Sequence, residues 1–406
     1  MKVAFFTDSF RENTGGLTRA VITLHDRLVA AGHTVRVFTL PQTGGPLHPG
    51  DVRPVRSISL RPVPGIPPDS HLAWDYREIR HELAAWRPDI VHLHTVFPVS
   101  WLGLWAARSP GIPVVATYHA NVRSAAVLLP GGKAVSAAAS FLIRAMYNRC
   151  DAVIAPSRFA ARELQAMGVR QPVVVISNGV DLDRFVPLDR SVREEAGVSP
   201  PAGGATGSGG QDRPVTVLFA GRLSPEKGVE VLAEALAAVL PEEPRLRARI
   251  AGDGPLAGVL RRVLAPHIAV GRVRLLGHVP WDAMPGEYHR ADLFLFPSPA
   301  ETQGLVVLEA MATGLPVVAV RAGALPELVR DGESGITVPA VEAEALAGAV
   351  LRLARDPELR RRLGEGARAV ATEHEAGRVL AQIVALYGRV VGLSPGGQEV
   401  NRCGAA

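Results

Sequence analysis

Two glutamates eight positions apart frame the chemistry of this chain. Glu301 and Glu309 bracket Glu301-Thr302-Gln303-Gly304-Leu305-Val306-Val307-Leu308-Glu309, which follows the apolar run Leu293–Phe296 and the loop Pro297-Ser298-Pro299. Gly304 opens a helical apolar run, and Gly314-Leu315-Pro316 closes it. This puts Glu301 at the junction of loop and helix. Eight residues at helical rise span roughly 12 Å, about the separation of hexose and ribose in an extended nucleotide sugar. Two carboxylates so placed accept hydrogen bonds from hydroxyls at both ends of one ligand, while the helix amino terminus between them faces a diphosphate. The plainer alternative is an N-terminal glutamate favouring the helix dipole and a solvated one in mid-helix.

A second constellation is Gly221-Arg222-Leu223-Ser224-Pro225-Glu226-Lys227-Gly228, after the apolar run Val215–Ala220. Ser224 reads as an N-cap and Pro225 as the first helical residue. Arg222 at a strand end and Lys227 in a helix first turn are two cations able to neutralise a diphosphate. A first turn ordinarily prefers anions, so Lys227 is locally unfavourable there and asks for a reason. Thr14-Gly15-Gly16-Leu17 and Gly252-Asp253-Gly254-Pro255 are glycine turns whose backbone amides can approach a phosphate or sugar. His119, in Thr117-Tyr118-His119-Ala120-Asn121, follows a strand, where it can contact a sugar hydroxyl or serve acid–base work, or simply be structural. His92 and His94 share one strand face but lack a third ligand nearby, which makes a poor metal site. Asp181-Leu182-Asp183 follows Asn178-Gly179-Val180 and reads as turn and cap chemistry rather than a metal motif.

The elements that must position these residues alternate. Strands are expected at Val3–Thr7, Thr34–Leu40, Ile90–His94, Val114–Tyr118, Ala152–Ala155, Val173–Ile176, Val215–Ala220, Arg247–Ala251, Val273–Leu276, Leu293–Phe296 and Val317–Val320. Helices fall between them, among them Arg19–Ala31, Arg158–Met167, Val229–Leu240 and Leu305–Thr313. Strand–helix alternation implies parallel sheets covered on both faces, an α/β fold. Residues 200–210, Pro200-Pro201-Ala202-Gly203-Gly204-Ala205-Thr206-Gly207-Ser208-Gly209-Gly210, cannot pack and read as a flexible loop. With 406 residues, the chain is too long for one core. The expectation is two doubly wound, Rossmann-like domains facing each other across a cleft. Residues 1–185 form the first, 186–213 a Gly/Pro-rich linker, and 214–372 the second, with ligands at the carboxyl ends of the strands.

Composition narrows the class. At 47% hydrophobic and 20% charged the chain is not wholly disordered. Cys150 and Cys403 cannot build a disulfide scaffold and fit a reducing compartment. No apolar stretch is long enough to span a membrane, and the start of the chain reads as a first strand rather than a signal peptide. A cytoplasmic location is expected. Residues 1–184 carry 20 Lys and Arg against 13 Asp and Glu, so the net +5 is concentrated in the first half. That imbalance suggests an anionic partner, such as a membrane face, although the dominance of Arg among the basic residues offers genome composition as another source. Val135–Tyr147, with Leu142, Ile143, Met146 and Arg144, could supply an interfacial helix or pack into the core.

Taken together, these motifs resemble the retaining glycosyltransferases of family 4, which have the GT-B fold. Glu301 to Glu309 is similar to that family's Glu-x7-Glu signature. The Gly15-Gly16 loop, His119, Ala155-Pro156-Ser157, Asn178-Gly179-Val180-Asp181, Gly221-Arg222 with Lys227-Gly228, and Gly252-Asp253-Gly254-Pro255 follow in the family's order over roughly residues 1 to 390. The resemblance implies that Arg222 and Lys227 bind the donor diphosphate and Glu309 the ribose. Glu301, with the amides near Gln303, Gly304 and Leu305, holds the donor sugar. Gly16 lies near the phosphate and acceptor, His119 near the transferred sugar, and Gly221, Gly252 and Gly254 complete the donor set. It further implies a helix over 373–395 crossing back onto the first domain. Transfer is expected to retain the anomeric configuration by front-face attack, with no metal and no cofactor.

Glu301-Thr302-Gln303-Gly304-Leu305, His94-Thr95-Val96-Phe97-Pro98 and Thr117-Tyr118-His119 resemble the branch making glucosyl-diacylglycerols. UDP-glucose is therefore the favoured donor and a membrane lipid such as diacylglycerol the favoured acceptor, with peripheral contact on the inner face of the membrane. Mannose transfer from GDP-mannose to phosphatidylinositol or a soluble acceptor, and a nucleotide-sugar epimerase, stay open. A dinucleotide-dependent dehydrogenase fits poorly, since no Gly-x-Gly-x-x-Gly opens the first helix. A nucleic-acid role has no motif behind it.

Overall fold

The computed structural model describes residues 1–11, 15–41, 48–59, 71–119, 132–188, 213–339 and 342–393. Thr14, Asn121, the stretch 200–210 and Cys403 lie outside them. The chain divides into two compact units, Met1–Asn178 with the residues from Gly377 onward, and Gly179–Ala376.

In the first unit the strands are β1 (Lys2–Phe6), β2 (Thr34–Thr39), β3 (Asp51–Pro54), β4 (Ser57–Ser59), β5 (His71–Ala73), β6 (Ile90–Leu93), β7 (Val114–Thr117), β8 (Ala152–Ala155) and β9 (Val173–Val175). Seven form one parallel sheet in the order β3-β2-β1-β6-β7-β8-β9, and β4 pairs with β5 as a separate antiparallel ribbon. Strands β6, β7 and β8 are buried at every position. They read as unbroken apolar runs because helices cover both faces of a parallel sheet. The helix Ala376–Leu393 belongs to this unit from Gly377 onward. Its Val379, Ile383, Leu386, Tyr387 and Val390 recur at helical spacing and are buried with Val3, Phe5, Val35 and Val115. Burying five such side chains contributes on the order of 1.5–3 kcal/mol each. The Tyr387 hydroxyl also bonds His92 Nδ1 at 2.6 Å.

In the second unit β10 (Val215–Ala220), β11 (Leu246–Ala251), β12 (Val273–Gly277), β13 (Leu293–Phe296), β14 (Val317–Val320) and β15 (Gly335–Val338) form a parallel sheet ordered β12-β11-β10-β13-β14-β15. The unit starts at Gly179 because Val180 is bridged to Glu375: the Val180 amide donates to His374 (2.9 Å), and the Ala376 amide donates to Val180 (3.0 Å). Phe185 packs edge-on to Trp281 and Tyr288 in this unit's core. Segments 179–188 and 373–376 therefore belong to the second unit's packing.

The apolar runs read from sequence all form strands, with ends that coincide or shift by one residue. Four further strands lacked an apolar run: the polar edge Asp51–Pro54, the ribbon strands Ser57–Ser59 and His71–Ala73, and the short Gly335–Val338.

Candidate active site

The second sheet reverses its order at β10. From there the chain runs outward through β11 and β12, then restarts at β13 on the other side. Loops leaving the carboxyl ends of β10 and β13 therefore flank a crevice, the place where open α/β sheets bind ligands. Arg222 and Lys227 lie on the first loop, Glu301 and Gln303 on the second.

The β10 loop differs from the expected helix start. Pro225–Lys227 is a single 3-10 turn, Gly228 is left-handed (φ 67°), and the helix runs Val229–Glu242. Ser224 does not cap it; its hydroxyl donates to Glu226 Oε1 at 2.6 Å. Lys227 therefore ends a tight turn, directly before Gly228, the N-cap of that helix, and still stands at the helix's positive end, so a carboxylate partner is what offsets the conflict. Its Nζ reaches Glu301 Oε1 at 2.5 Å. The Ser298 hydroxyl donates to the same oxygen at 2.7 Å. Arg222 is exposed and makes no ion pair among the described residues.

Glycine lets the loops close on one another. A Cβ on Gly252, where φ is +145°, would stand 1.8 Å from the Gly221 carbonyl oxygen. The Gly221 amide donates to Ala251 (3.0 Å), and the Leu223 amide donates to Asp253 (2.9 Å). The turns after β10 and β11, with Gly254, are thus zipped by backbone bonds.

Glu301 precedes its helix by four residues, in the loop, with its carbonyl accepting from the Ala324 amide at 3.0 Å. Gly304 is left-handed (φ 98°) and leads into the helix Leu305–Ala312. The Val307 and Leu308 amides already donate to Gly304. The Leu305 and Val306 amides are the orphan donors of the first turn. Glu309 is buried, and two aromatic tips grip it: Tyr288 Oη donates to Oε2 at 2.7 Å and Trp281 Nε1 to Oε1 at 3.2 Å. Arg184 stacks on Trp281, 3.5 Å from the ring centre, and pairs with Asp282. The sequence singles out neither Tyr288 nor Trp281, and Ser298 only as part of a loop. Aromatic residues with polar tips seven positions apart were the one available signal, and only the fold says whom they face.

In the first unit His119 is partly exposed at the carboxyl end of β7. Its Nε2 lies 3.1 Å from His94 Nδ1, and the rings stack at 5.4 Å. Burial lowers its pKa to about 4 despite a hydrogen bond to the Asn178 side chain, so the imidazole is neutral at pH 7. His92 and His94 are buried, and burial lowers their pKa values further. His92 is spoken for by Tyr387 and by Thr117 Oγ1 (2.7 Å). Gly16 opens the helix Gly16–Ala30, behind Gly15 at φ 113°. Asp181 Oδ1 accepts from the Asp183 and Arg184 amides, a turn cap. Cys150 is buried, which pushes its thiol pKa up. Among the described residues, one group brings three potential ligand side chains together, two histidines and an aspartate: Asp26 Oδ1 accepts from His25 Nδ1 (2.8 Å) and His48 Nε2 (2.7 Å).

The helix Gly132–Tyr147 corrects part of the interfacial reading. Ile143 and Met146 are buried in the core, while Val135, Phe141 and Leu142 are exposed beside Lys133 and Arg144. No helix among the described residues is long and apolar enough to cross a membrane.

Two Rossmann-like α/β halves are the architecture of the GT-B fold, and the family models that match them are those of glycosyltransferases. Residues 14–184 match Glycosyltransferase Family 4, and residues 214–356 match Glycosyl transferases group 1. The chain belongs to glycosyltransferase family 4. It is 33% identical to a D-inositol 3-phosphate glycosyltransferase of Streptomyces griseus, covering 88% of this chain and 81% of the relative. It is 32% identical to a GDP-mannose-dependent alpha-mannosyltransferase of Mycolicibacterium smegmatis (97% and 98%). It is 28% identical to an alpha-monoglucosyldiacylglycerol synthase of Streptococcus pneumoniae (86% and 78%). Anabaena HepE, solved with UDP-glucose, shares the fold at a TM-score of 0.72 and 22% identity over 96% of this chain and all of that one.

Proposed function

We propose that this glycosyltransferase moves a hexose from a nucleotide sugar to a membrane lipid with retention of configuration and without a metal, with UDP-glucose as donor and diacylglycerol as acceptor. The observation that carries the donor half is the Lys227–Glu301 pair at the β10/β13 reversal, with buried Glu309 two helical turns away. Lys227 and Arg222 receive the charge that grows on the leaving diphosphate. The open amides of Leu305 and Val306 add their partial charge to the same task. Glu301 accepts from the donor sugar's hydroxyls and Glu309 from the ribose, with the Tyr288 and Trp281 donors fixing the Glu309 rotamer. Gly16, Gly221, Gly252, Gly254, Gln303 and Gly304 let the backbone approach the donor. His119, held neutral, offers the transferred sugar a hydrogen bond rather than a charge. In this reading the acceptor attacks from the face the diphosphate leaves, with no covalent glycosyl-enzyme intermediate.

The lipid half rests on the helix Gly132–Tyr147, which exposes Phe141 and Leu142 beside Lys133 and Arg144, and on the basic first half. Apolar side chains among cations suit an anionic bilayer surface. The monoglucosyldiacylglycerol synthase relative supports the same reading. A second reading, transfer from GDP-mannose to phosphatidylinositol or a soluble acceptor, is favoured by the near full-length match to the GDP-mannose-dependent relative. A nucleotide-sugar epimerase is the third.

One experiment separates them. Purified protein is given UDP- and GDP-sugars with and without diacylglycerol in anionic vesicles, and nucleotide release is followed together with lipid-linked sugar. Diacylglycerol-dependent release from UDP-glucose with a new glycolipid is the expected result. Release from GDP-mannose alone, or release with no lipid product, overturns the lipid glucosyl reading.

A further inference from the structure

The first unit holds a cluster of metal-ligating side chains that the proposed transfer does not use. His25 and Asp26 are neighbours on the helix Gly16–Ala30, and His48 lies three residues before β3. Asp26 Oδ1 accepts from both histidines, and the three ligand atoms all lie within 4.8 Å of one another. Each part is held from outside the cluster. The His48 amide donates to the Phe10 carbonyl at 3.1 Å, which fixes the main chain bearing His48 to the stretch after β1. The buried Phe10 ring meets both imidazoles edge-on, His25 at 5.1 Å and His48 at 5.4 Å. A Cβ on Gly50 would stand 2.9 Å from His25 Nε2, so the backbone there presses on the far edge of the ring and keeps Nδ1 turned toward Asp26. The side chains of His25 and His48 are 5% and 14% exposed and that of Asp26 is 50% exposed, so the cluster opens to solvent on its carboxylate side. Burial pushes the Asp26 carboxyl up, but the hydrogen bonds from His25 and His48 together outweigh it and hold the group below its usual value, anionic at neutral pH.

We infer that His25 Nδ1, Asp26 Oδ1 and His48 Nε2 bind a divalent transition-metal ion of the zinc type, with water completing its shell. Two imidazoles and one carboxylate are ligands such an ion takes when it keeps an open position. The set has no thiolate to select copper(I), and too few oxygens for calcium or magnesium. Bonds of about 2.0–2.1 Å put tetrahedral neighbours about 3.3 Å apart, so each nitrogen draws back from the oxygen by about half an ångström as the ion replaces their hydrogen bonds. Asp26, half exposed, has room for that shift. Binding moves the proton of each imidazole to its far nitrogen. The ion ties the helix Gly16–Ala30 to the segment bearing His48, a staple within the first unit that takes no part in the proposed transfer.

The test is calorimetric titration of the metal-stripped, tag-free full chain with Zn²⁺, alongside thermal melting and the visible absorption of Co²⁺. One Zn²⁺ per chain is expected to bind in the micromolar range, undisturbed by excess Mg²⁺. The melting temperature should rise with Zn²⁺, because the ion binds the folded chain and finds no preformed site in the unfolded one. Co²⁺ should show the visible bands of a low-coordinate nitrogen and oxygen site. Asp26→Asn and His48→Ala should each weaken Zn²⁺ binding at least about tenfold and remove most of the melting shift. His81→Ala, at an exposed position on the helix Tyr76–Trp86, is the control and should leave binding and stoichiometry unchanged. Zn²⁺ binding no tighter than millimolar in wild type overturns the site. So does binding equally tight in wild type, Asp26→Asn and His48→Ala, which would mark adventitious capture by other histidines.

Discussion

Replacing Glu301 by glutamine should separate nucleotide binding from transfer in opposite directions. Without donor, the Lys227 ammonium is held by the Glu301 carboxylate at 2.5 Å, with the side chains 27% and 11% exposed. A cation that must turn to a diphosphate has first to loosen this bond. Two unit charges about 4 Å apart attract by roughly 4 kcal/mol at an effective dielectric of 20. The net value of a charge-assisted hydrogen bond, after desolvation, is about 1.5–3 kcal/mol. Glu301→Gln keeps the shape and the Ser298 contact but removes the competing charge. UDP should then bind tighter by up to about 1.4 kcal/mol, a factor near ten, since Lys227 can lean toward both partners. Transfer should fall at least a hundredfold, because the donor sugar loses its charged acceptor. Calorimetric titration with UDP at 0.15 M salt reads the first, and product formation the second. Raising salt to 0.5 M should shrink the difference between variant and wild type. UDP binding unchanged or weaker in Glu301→Gln would show that Lys227 does not exchange partners, and the reasoning fails.

Other outcomes follow from neighbouring features. Tyr288→Phe removes the 2.7 Å donor to Glu309 and should raise the donor KM about tenfold with little change in kcat, by the worth of one bond to a charged group. Gly252→Ala drives a methyl into the Gly221 carbonyl at a backbone angle alanine rarely adopts, and should cost upward of about 3 kcal/mol, read as a fall in urea midpoint. His119 is protonated near pH 4 when folded and near 6.5 when unfolded. The unfolded chain therefore takes up the proton first, and stability should drop between pH 6.5 and 4 by at most about 3 kcal/mol. His119→Gln should flatten that slope in urea titrations across this range. Phe141→Asp should weaken binding to anionic vesicles in flotation assays while leaving the melting temperature unchanged, since the side chain is exposed.

Much of the fold was legible because a strand covered on both faces must be apolar throughout. Leu293–Phe296, stopped by Pro297-Ser298-Pro299, and Val317–Val320, between Gly314-Leu315-Pro316 and Gly323, are too short for helices and read as strands. Asp51–Pro54 was not legible: an edge strand needs only a partner's backbone, and its side chains are free to be polar. The glutamate pair and the glycine turns could be read from spacing, since each carries a local geometric demand. The grip of Tyr288 and Trp281 on Glu309 could not, because it joins residues more than twenty apart through packing. Lys227 misled in an instructive way. Its position looked like a helix first turn, but left-handed Gly228 ends a one-turn 3-10 element there and starts a new helix after it. In the helix Gly132–Tyr147 the apolar content was plain, but its phase was not: Ile143 and Met146 turn inward and Phe141 outward.

The assignment of the helix from Gly377 onward to the first unit has a consequence for synthesis. The second unit is, in effect, inserted into the first, and the first cannot close its core until Val379, Ile383, Leu386 and Tyr387 leave the ribosome. Until then the face of the sheet bearing Val3 and Phe5 has only part of its cover, from Val21 and Leu28 of the helix Gly16–Ala30. Gly179–Ala376 holds its own sheet and bridge, so it can complete its fold while the earlier-made half still waits. The order of birth and the order of maturation are reversed. The stretch of translation between residues 178 and 390 is the window in which a chaperone has an apolar surface to hold.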